Sequence, residues 1–323
     1  VTETTPVVLL ALALLLTGPV PALLARASWP LRVPRAALVL WQAVALAAVL
    51  SALGAGASAG TLVMTHASPS TWLVVLHVVA LLLTVVVTAR LLWSAHTLGM
   101  ALRSRRRRQR HVVDLVGRSD GRAPGALVVD VARPVAYCIP GVRPRVVVSA
   151  PALDALGSDE TAAVLAHERA HARARHDLVL EGFGVLHDAF PRLVRSSVAL
   201  ESAAGLVEML ADDAARRRSG PVPLARALAR MADAPVPAGA LGSGSVSPAV
   251  RIRRLAAEPD VRGGWGAAGP RGVRGVLSAR GGRGLPAWLV ASVAYTVAAA
   301  LVVVPTIAVA APWLTALSRA LTP

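Results

Sequence analysis

Lysine is absent from this chain, and cysteine occurs once, at Cys138. A single thiol excludes an intramolecular disulfide and every cysteine-based zinc cluster. Any metal held here must be held by histidines and carboxylates. Aromatic residues are also scarce, at 3% of the chain. None of them interleaves with the basic run "RSRRRRQR", Arg103 to Arg110, so that run offers no platform for base stacking. We read it as a juxtamembrane stop that grips anionic lipid headgroups, and expect no nucleic-acid partner. Acids number 18 against 34 basic residues, a formal charge of +16. Arginine without lysine, together with abundant alanine, points to a high-GC bacterial genome, of actinobacterial type.

Charge is missing altogether from Ala36 to Ala89. About 20 mostly apolar residues cross a bilayer as a helix. Four stretches meet that length: Val7–Leu24, Ala36–Leu53, Trp72–Trp93 and Ala287–Ala311. A Gly/Ser/Thr/Pro-rich break, Gly54–Thr71, separates the second from the third. The first span has Glu3 and no basic residue ahead of it, unlike a cleaved signal peptide, so it is expected to stay as an anchor. Positive charge in short loops marks the inner side. Arg26, Arg32 and Arg35 follow span one, the arginine run follows span three, and the outer loops carry almost none. The expected product is a multi-pass protein of the plasma membrane, with the N-terminus outside and the large middle region cytoplasmic. The expected divisions are a three-helix membrane region at 1–100, an aqueous domain at 101–260, a Gly/Arg-rich linker at 261–284, and a fourth span with a short external tail at 285–323.

The middle region opens with short β-rich runs, "ALVVDV", "VAYCI" and "RVVVS", the last two joined by the turn-forming "IPGVRP". They suggest a small antiparallel sheet. The strand Arg145–Ser149 is a candidate to receive an extended substrate by edge pairing. Helical patterning follows. Ser158 is the expected N-cap of a helix reaching Arg175, with Asp159 and Glu160 in its first turn. Asp177 is expected to cap the next helix. A third helix runs from Val198 to Arg218, a weaker one near Val222–Ala234, and a short basic one in "AVRIRRLAAE".

The chemistry lies in "AVLAHERAHARARHD", Ala163–Asp177. Residues four apart share a helical face, so His167 and His171 can reach one ion, and Glu168 can take a proton from a water beside it. Eight histidines and seven glutamates generate this three-position pattern by chance at about 0.004 per chain. A catalytic zinc needs a third protein ligand. On a continuous helix His176 would rotate away from the His167/His171 face. The segment "ESAAGLVEMLADDAARRR" instead offers Glu201, Glu208 and Asp212 on one face, with Ala204, Ala211 and Ala215 permitting close approach. Glu208 would serve as ligand, and Asp212 would support a ligating histidine. His187 is expected to be structural, and His66 and His77 lie outside the site.

At these residues the chain resembles a known family. "AAVLAHERAH", followed 37 residues on by "EMLAD", is similar to the Glu-x-x-Ala-Asp arrangement of gluzincin membrane peptidases. Three spans, a cytoplasmic domain and one more span resemble the BlaR/MecR-type antirepressor metallopeptidases. HtpX-like and CAAX-protease relatives share the motif with other span arrangements. The resemblance implies an α-helical membrane protein with four transmembrane helices and a cytoplasmic α+β zincin-like domain. It implies Zn2+ held by His167, His171 and Glu208, with Glu168 as general base and Asp212 supporting. It also implies cleavage of a cytoplasmic or membrane-proximal protein, such as a transcriptional repressor. About a dozen residues follow span four here, so the external β-lactam-sensing domain of the antibiotic sensors is not expected. The alternatives are housekeeping proteolysis of damaged membrane proteins and a non-catalytic receptor or scaffold on a degenerate peptidase fold.

Overall fold

The computed structural model describes residues 4–65, 70–190, 197–231, 247–257 and 285–321. The expected linker at 261–284 and His66 lie outside them. Among the described residues, four helices are long and apolar enough to cross a membrane. The first is interrupted: α1 (Thr5–Thr17) gives way at Gly18 to α2 (Pro19–Arg26), whose starting proline fits a helix N-terminus. A 3-10 turn at Trp29–Leu31 leads into α3 (Pro34–Thr65). The Gly/Ser-rich stretch after Gly54 was expected to break the run, but it is helical to Thr65. Its small residues allow contact with a neighbour. A Cβ on Gly56 would collide with the Thr84 hydroxyl of the next helix, Thr71–Val116, so glycine there lets the two helices touch.

The third apolar helix, α4 (Thr71–Val116), continues without interruption into the polar half of the chain. None of its apolar window is buried against the rest of the chain. Leu81, Leu82, Leu83, Val85 and Val86 are all more than half exposed, a contiguous apolar surface of the kind that marks a membrane or protein contact. The last apolar helix, α11 (Ala287–Leu321), packs on α3, where Ala298 joins Leu40, Ala43, Val44 and Ala47.

Three strands follow α4: β1 (Leu127–Val129), β2 (Ala136–Ile139) and β3 (Arg145–Ser149). β2 and β3 form the expected hairpin, with Ile139 opposite Arg145. β1 pairs with the other side of β3 in parallel, so the order is β1-β3-β2 and the sheet is mixed, not antiparallel. Two consequences follow. β3 is paired on both sides and cannot accept a substrate strand, contrary to expectation. The outer edge of β2, by contrast, pairs with no other strand among the described residues. Alternation along β3 serves two cores. Val146 and Val148 pack with Leu153 and Leu165, while Val147 packs with Val113 of α4, Val129 and Ile139.

After β3 come α5 (Ala150–Ala155), α6 (Ser158–Ala174), α7 (His176–Ala189), α8 (Val198–Ser219), α9 (Pro221–Arg230) and α10 (Pro248–Ala257). Gly157, not Ser158, is the N-cap of α6, and its N–H donates to Glu160 Oε2 at 3.0 Å. α8 lies against α6 because Ala211 and Ala215 are fully buried small residues at the contact. Leu224 of α9 and Leu255 of α10 close the same cluster from the far side. Trp41 of α3, Phe183 of α7 and Leu206 of α8 form a further cluster, which ties the helical domain to the apolar helices.

Candidate metal centre

α6 presents His167 and His171 one turn apart on the face toward α8, and α8 answers with Glu208. One ligand atom from each of the three lies within 4.8 Å of the others. His167 Nε2 and His171 Nε2 are 3.1 Å apart. Glu208 Oε2 is 3.4 Å from the first and Oε1 is 3.5 Å from the second. All three residues are buried. Two imidazoles and a carboxylate are a donor set that suits a divalent zinc-like ion with a further position open, so these residues form a possible metal site.

Asp212, one turn after Glu208, places Oδ1 3.0 Å from Nδ1 of His167. A carboxylate there fixes the ring and leaves Nε2 to face the cluster. Glu201, two turns earlier on the same helix, is exposed and takes no part. Burial alone would lower His167, but its hydrogen bonds to Asp212 and Glu208 carry it up to about 10. An ion at Nε2 therefore competes with a proton. Burial and then the His167 charge press His171 down to about 3, leaving it neutral. Burial opposes ionisation of Glu208, yet His167, His171 and Arg251 hold it down at about 2.

Glu168 sits beside the cluster, 5% exposed. Burial pushes it up to about 7 against the lowering pull of His167, and it accepts a hydrogen bond from the Cys138 backbone. That bond follows from the strand register. Ser149 N–H donates to Val135 O at 2.9 Å, so alternation turns the backbone groups of Ala136 and Cys138 outward from β3. The free edge of β2 thus faces α6 at Glu168.

Two residues, His176 and Asp177, and part of the arginine run behave differently from their sequence expectation. α6 and α7 are not continuous. Arg175 adopts φ 51°, ψ 43°, the left-handed conformation, and the chain turns there. His176 therefore swings back under the site, and its Nδ1 lies 3.1 Å from Nδ1 of His171. The tautomer of His171 that donates Nδ1–H to His176 leaves Nε2 free for an ion. Asp177 does not cap α7; Arg175 holds that position. Asp177 is buried in the first turn, with Arg106 Nη1 at 3.5 Å and Arg175 Nε at 3.7 Å. Arg106 also reaches Glu181 at 3.4 Å, and Arg110 donates to Pro140 O at 2.5 Å. Part of the arginine run thus fastens α4 to the domain, while Arg105, Arg107 and Arg108 remain exposed.

Arg251 of α10 was missed in the sequence. It is 8% exposed. Its Nε and Nη2 grip Asp212 at 2.8 and 2.6 Å, and Nη1 stands 3.0 Å from Glu208 Oε2. One guanidinium thereby holds both acids of α8 toward α6. The only local hint is the mixture of Ile252 and Leu255 with arginines at helical spacing, which buries one face and brings one arginine inward.

No curated protein and no solved structure matches the chain. The model of Peptidase family M48 matches residues 102–228, from within α4 to α9. The segment that carries the His167/His171/Glu208 cluster is thus similar to an M48 peptidase, and the match supports a metal-dependent peptidase of that family.

Proposed function

We propose that the protein is an integral membrane zinc endopeptidase that hydrolyses a cytoplasmic or membrane-proximal protein. The observation that carries this reading is the convergence of His167, His171 and Glu208 within 4.8 Å, inside a segment matching Peptidase family M48. Bound there, a divalent ion supplies Lewis acidity to a scissile carbonyl and acidifies a water. The chain's own residues do the rest. His167, His171 and Glu208 hold the ion, and Asp212 and His176 orient the two imidazoles from behind. Glu168 is the general base: it accepts the water's proton and passes it to the leaving amine. Burial raises its proton affinity above that of an exposed carboxylate, the direction a general base needs. An extended substrate adds to the outer edge of β2, which brings its backbone past Glu168.

The four apolar helices support residence in a membrane. By the arginine distribution, the domain lies on the inner side. A transcriptional repressor is the substrate class suggested by the span order, with three apolar helices before the domain and one after it. The retention of Glu168 beside the cluster favours an active enzyme over a scaffold.

The test is metal analysis and proteolysis on the full chain beside Glu168→Gln, with an unfolded fluorescent protein as reporter. Both proteins should retain one zinc per chain, and only the parent should cleave. Equal cleavage by both would refute the mechanism. Alkaline carbonate extraction tests membrane residence separately: the chain should stay in the pellet, and release into the supernatant would overturn it.

A further inference from the structure

The starts of α3 and α11 lie together. Arg32, just before α3, donates from Nη2 to Leu285 O, just before α11, at 2.9 Å. Between these two helix starts, the C-terminal end of α6 and the outer face of α8 is a cavity of about 1020 Å3, at the upper end of small-molecule pockets. Four arginines line it: Arg35 of α3, Arg173 of α6, and Arg217 and Arg218 of α8. All four are exposed. Asp213 is the acid in its wall, but Arg254 already grips it at 2.6 and 3.1 Å. Among the described residues no carboxylate pairs with any of the four arginines, so their charge is uncompensated.

The other wall is apolar. Val39 of α3 and Ala291 and Tyr295 of α11 line it. Arg35 is in the first turn of α3, whereas Tyr295 is eight residues into α11, about 12 Å along the helix at 1.5 Å per residue. The cavity therefore grades from cationic at the helix starts to apolar deeper along them. A soluble anion would use only the cationic end, and an acyl chain only the apolar one. A phosphate ester carrying acyl chains uses both.

We propose that this cavity is a binding site for one anionic phospholipid, with its headgroup phosphate among Arg35, Arg173, Arg217 and Arg218 and its acyl chains along Val39, Ala291 and Tyr295. The proposal rests on the membrane half of the reading above, since the gradient has meaning only where helix starts meet the headgroup layer. It is separate from the exposed arginines of α4; His176, whose Nδ1 faces His171, also lines the cavity, but the headgroup contacts involve none of the metal-holding residues.

The experiment is native mass spectrometry of the full chain in detergent, titrated with phosphatidylglycerol, phosphatidylcholine or inorganic phosphate. One phosphatidylglycerol should remain bound, and neither phosphatidylcholine nor phosphate should. Each arginine near an anionic headgroup layer contributes about fivefold. Arg217→Gln/Arg218→Gln should thus weaken retention about thirtyfold, while Arg143→Gln/Arg226→Gln, at two exposed arginines away from the cavity, leaves it unchanged. Arg35→Gln/Arg173→Gln removes two charges from other helices and should match the first loss, which guards against a folding defect in α8. Equal retention of the two lipids would overturn the proposal. So would full displacement of lipid by millimolar phosphate, or a loss in the Arg143/Arg226 variant equal to that in α8. Lipid retention needs no cleavage, so a peptidase failure leaves this result readable, and carbonate extraction reports on membrane residence by itself.

Discussion

Replacing Arg251 by methionine removes a cation from between two buried carboxylates while roughly keeping its bulk. Glu208 and Asp212 are 3% and 1% exposed. The change deletes contacts of 2.6, 2.8 and 3.0 Å. Removing one partner of a buried ion pair costs about 3–5 kcal/mol, because the other charge stays behind unpaired. At roughly 2–4 °C per kcal/mol for a domain of this size, the melting temperature should fall on the order of 10 °C at pH 7 in chelator. Glu208 and Asp212 both titrate well below their ordinary values, with Arg251 among the causes. Such depressed groups stabilise the fold above the usual carboxylate range and lose that contribution as pH falls through their folded pKa. The gap between parent and variant should therefore be full at neutral pH and shrink below about pH 4. Added zinc should narrow it as well, since the ion restores positive charge beside Glu208. Thermal unfolding in detergent, with chelator or zinc and across pH, reads all three. An Arg251→Met chain as stable as the parent at pH 7 in chelator would refute the placement of this arginine.

Three further outcomes can be checked. Burial raises the Glu168 carboxyl from 4.5 to about 7, so its ionisation costs stability as pH rises through that window. In chelator, Glu168→Gln should match the parent below pH 4.5 and exceed it by up to ~3 kcal/mol above pH 7, at 1.36 kcal/mol per pKa unit; a gap that does not change with pH would contradict this. His176→Ala deletes the group that faces His171 Nδ1 at 3.1 Å and should weaken zinc affinity roughly 10–100-fold in chelator competition, whereas unchanged affinity would remove His176 from the site. The Cys138 thiol is fully buried, and burial with the Glu168 and Asp177 charges pushes it up to about 12; it should resist a disulfide reagent until the chain is denatured, and rapid modification of the native protein would show that β2 is open.

Local periodicity determined much of this protein. His167, Glu168 and His171 fall within five consecutive residues, and Glu208 and Asp212 within another five, so one helical turn fixes how each set points. The apolar runs are equally local, since length and lack of charge are read without knowing any neighbour. The break at Arg175 carries no such signal. A non-glycine residue in the left-handed conformation is rare, and only the fold holds it there, which is why His176 returned to the site unannounced. The sheet was misjudged for a related reason: adjacency of "VAYCI" and "RVVVS" predicts their hairpin, but nothing in "ALVVDV" says on which side of β3 it will lie. That choice gave β2 the free edge beside Glu168. Arg251 is the clearest case. It is one basic residue among 34, 39 positions after Asp212, and its role depends on α10 closing over α6 and α8. Spacing along a helix sets which side chains share a face; which faces meet is a matter of packing between distant segments, and only the tertiary structure decided it.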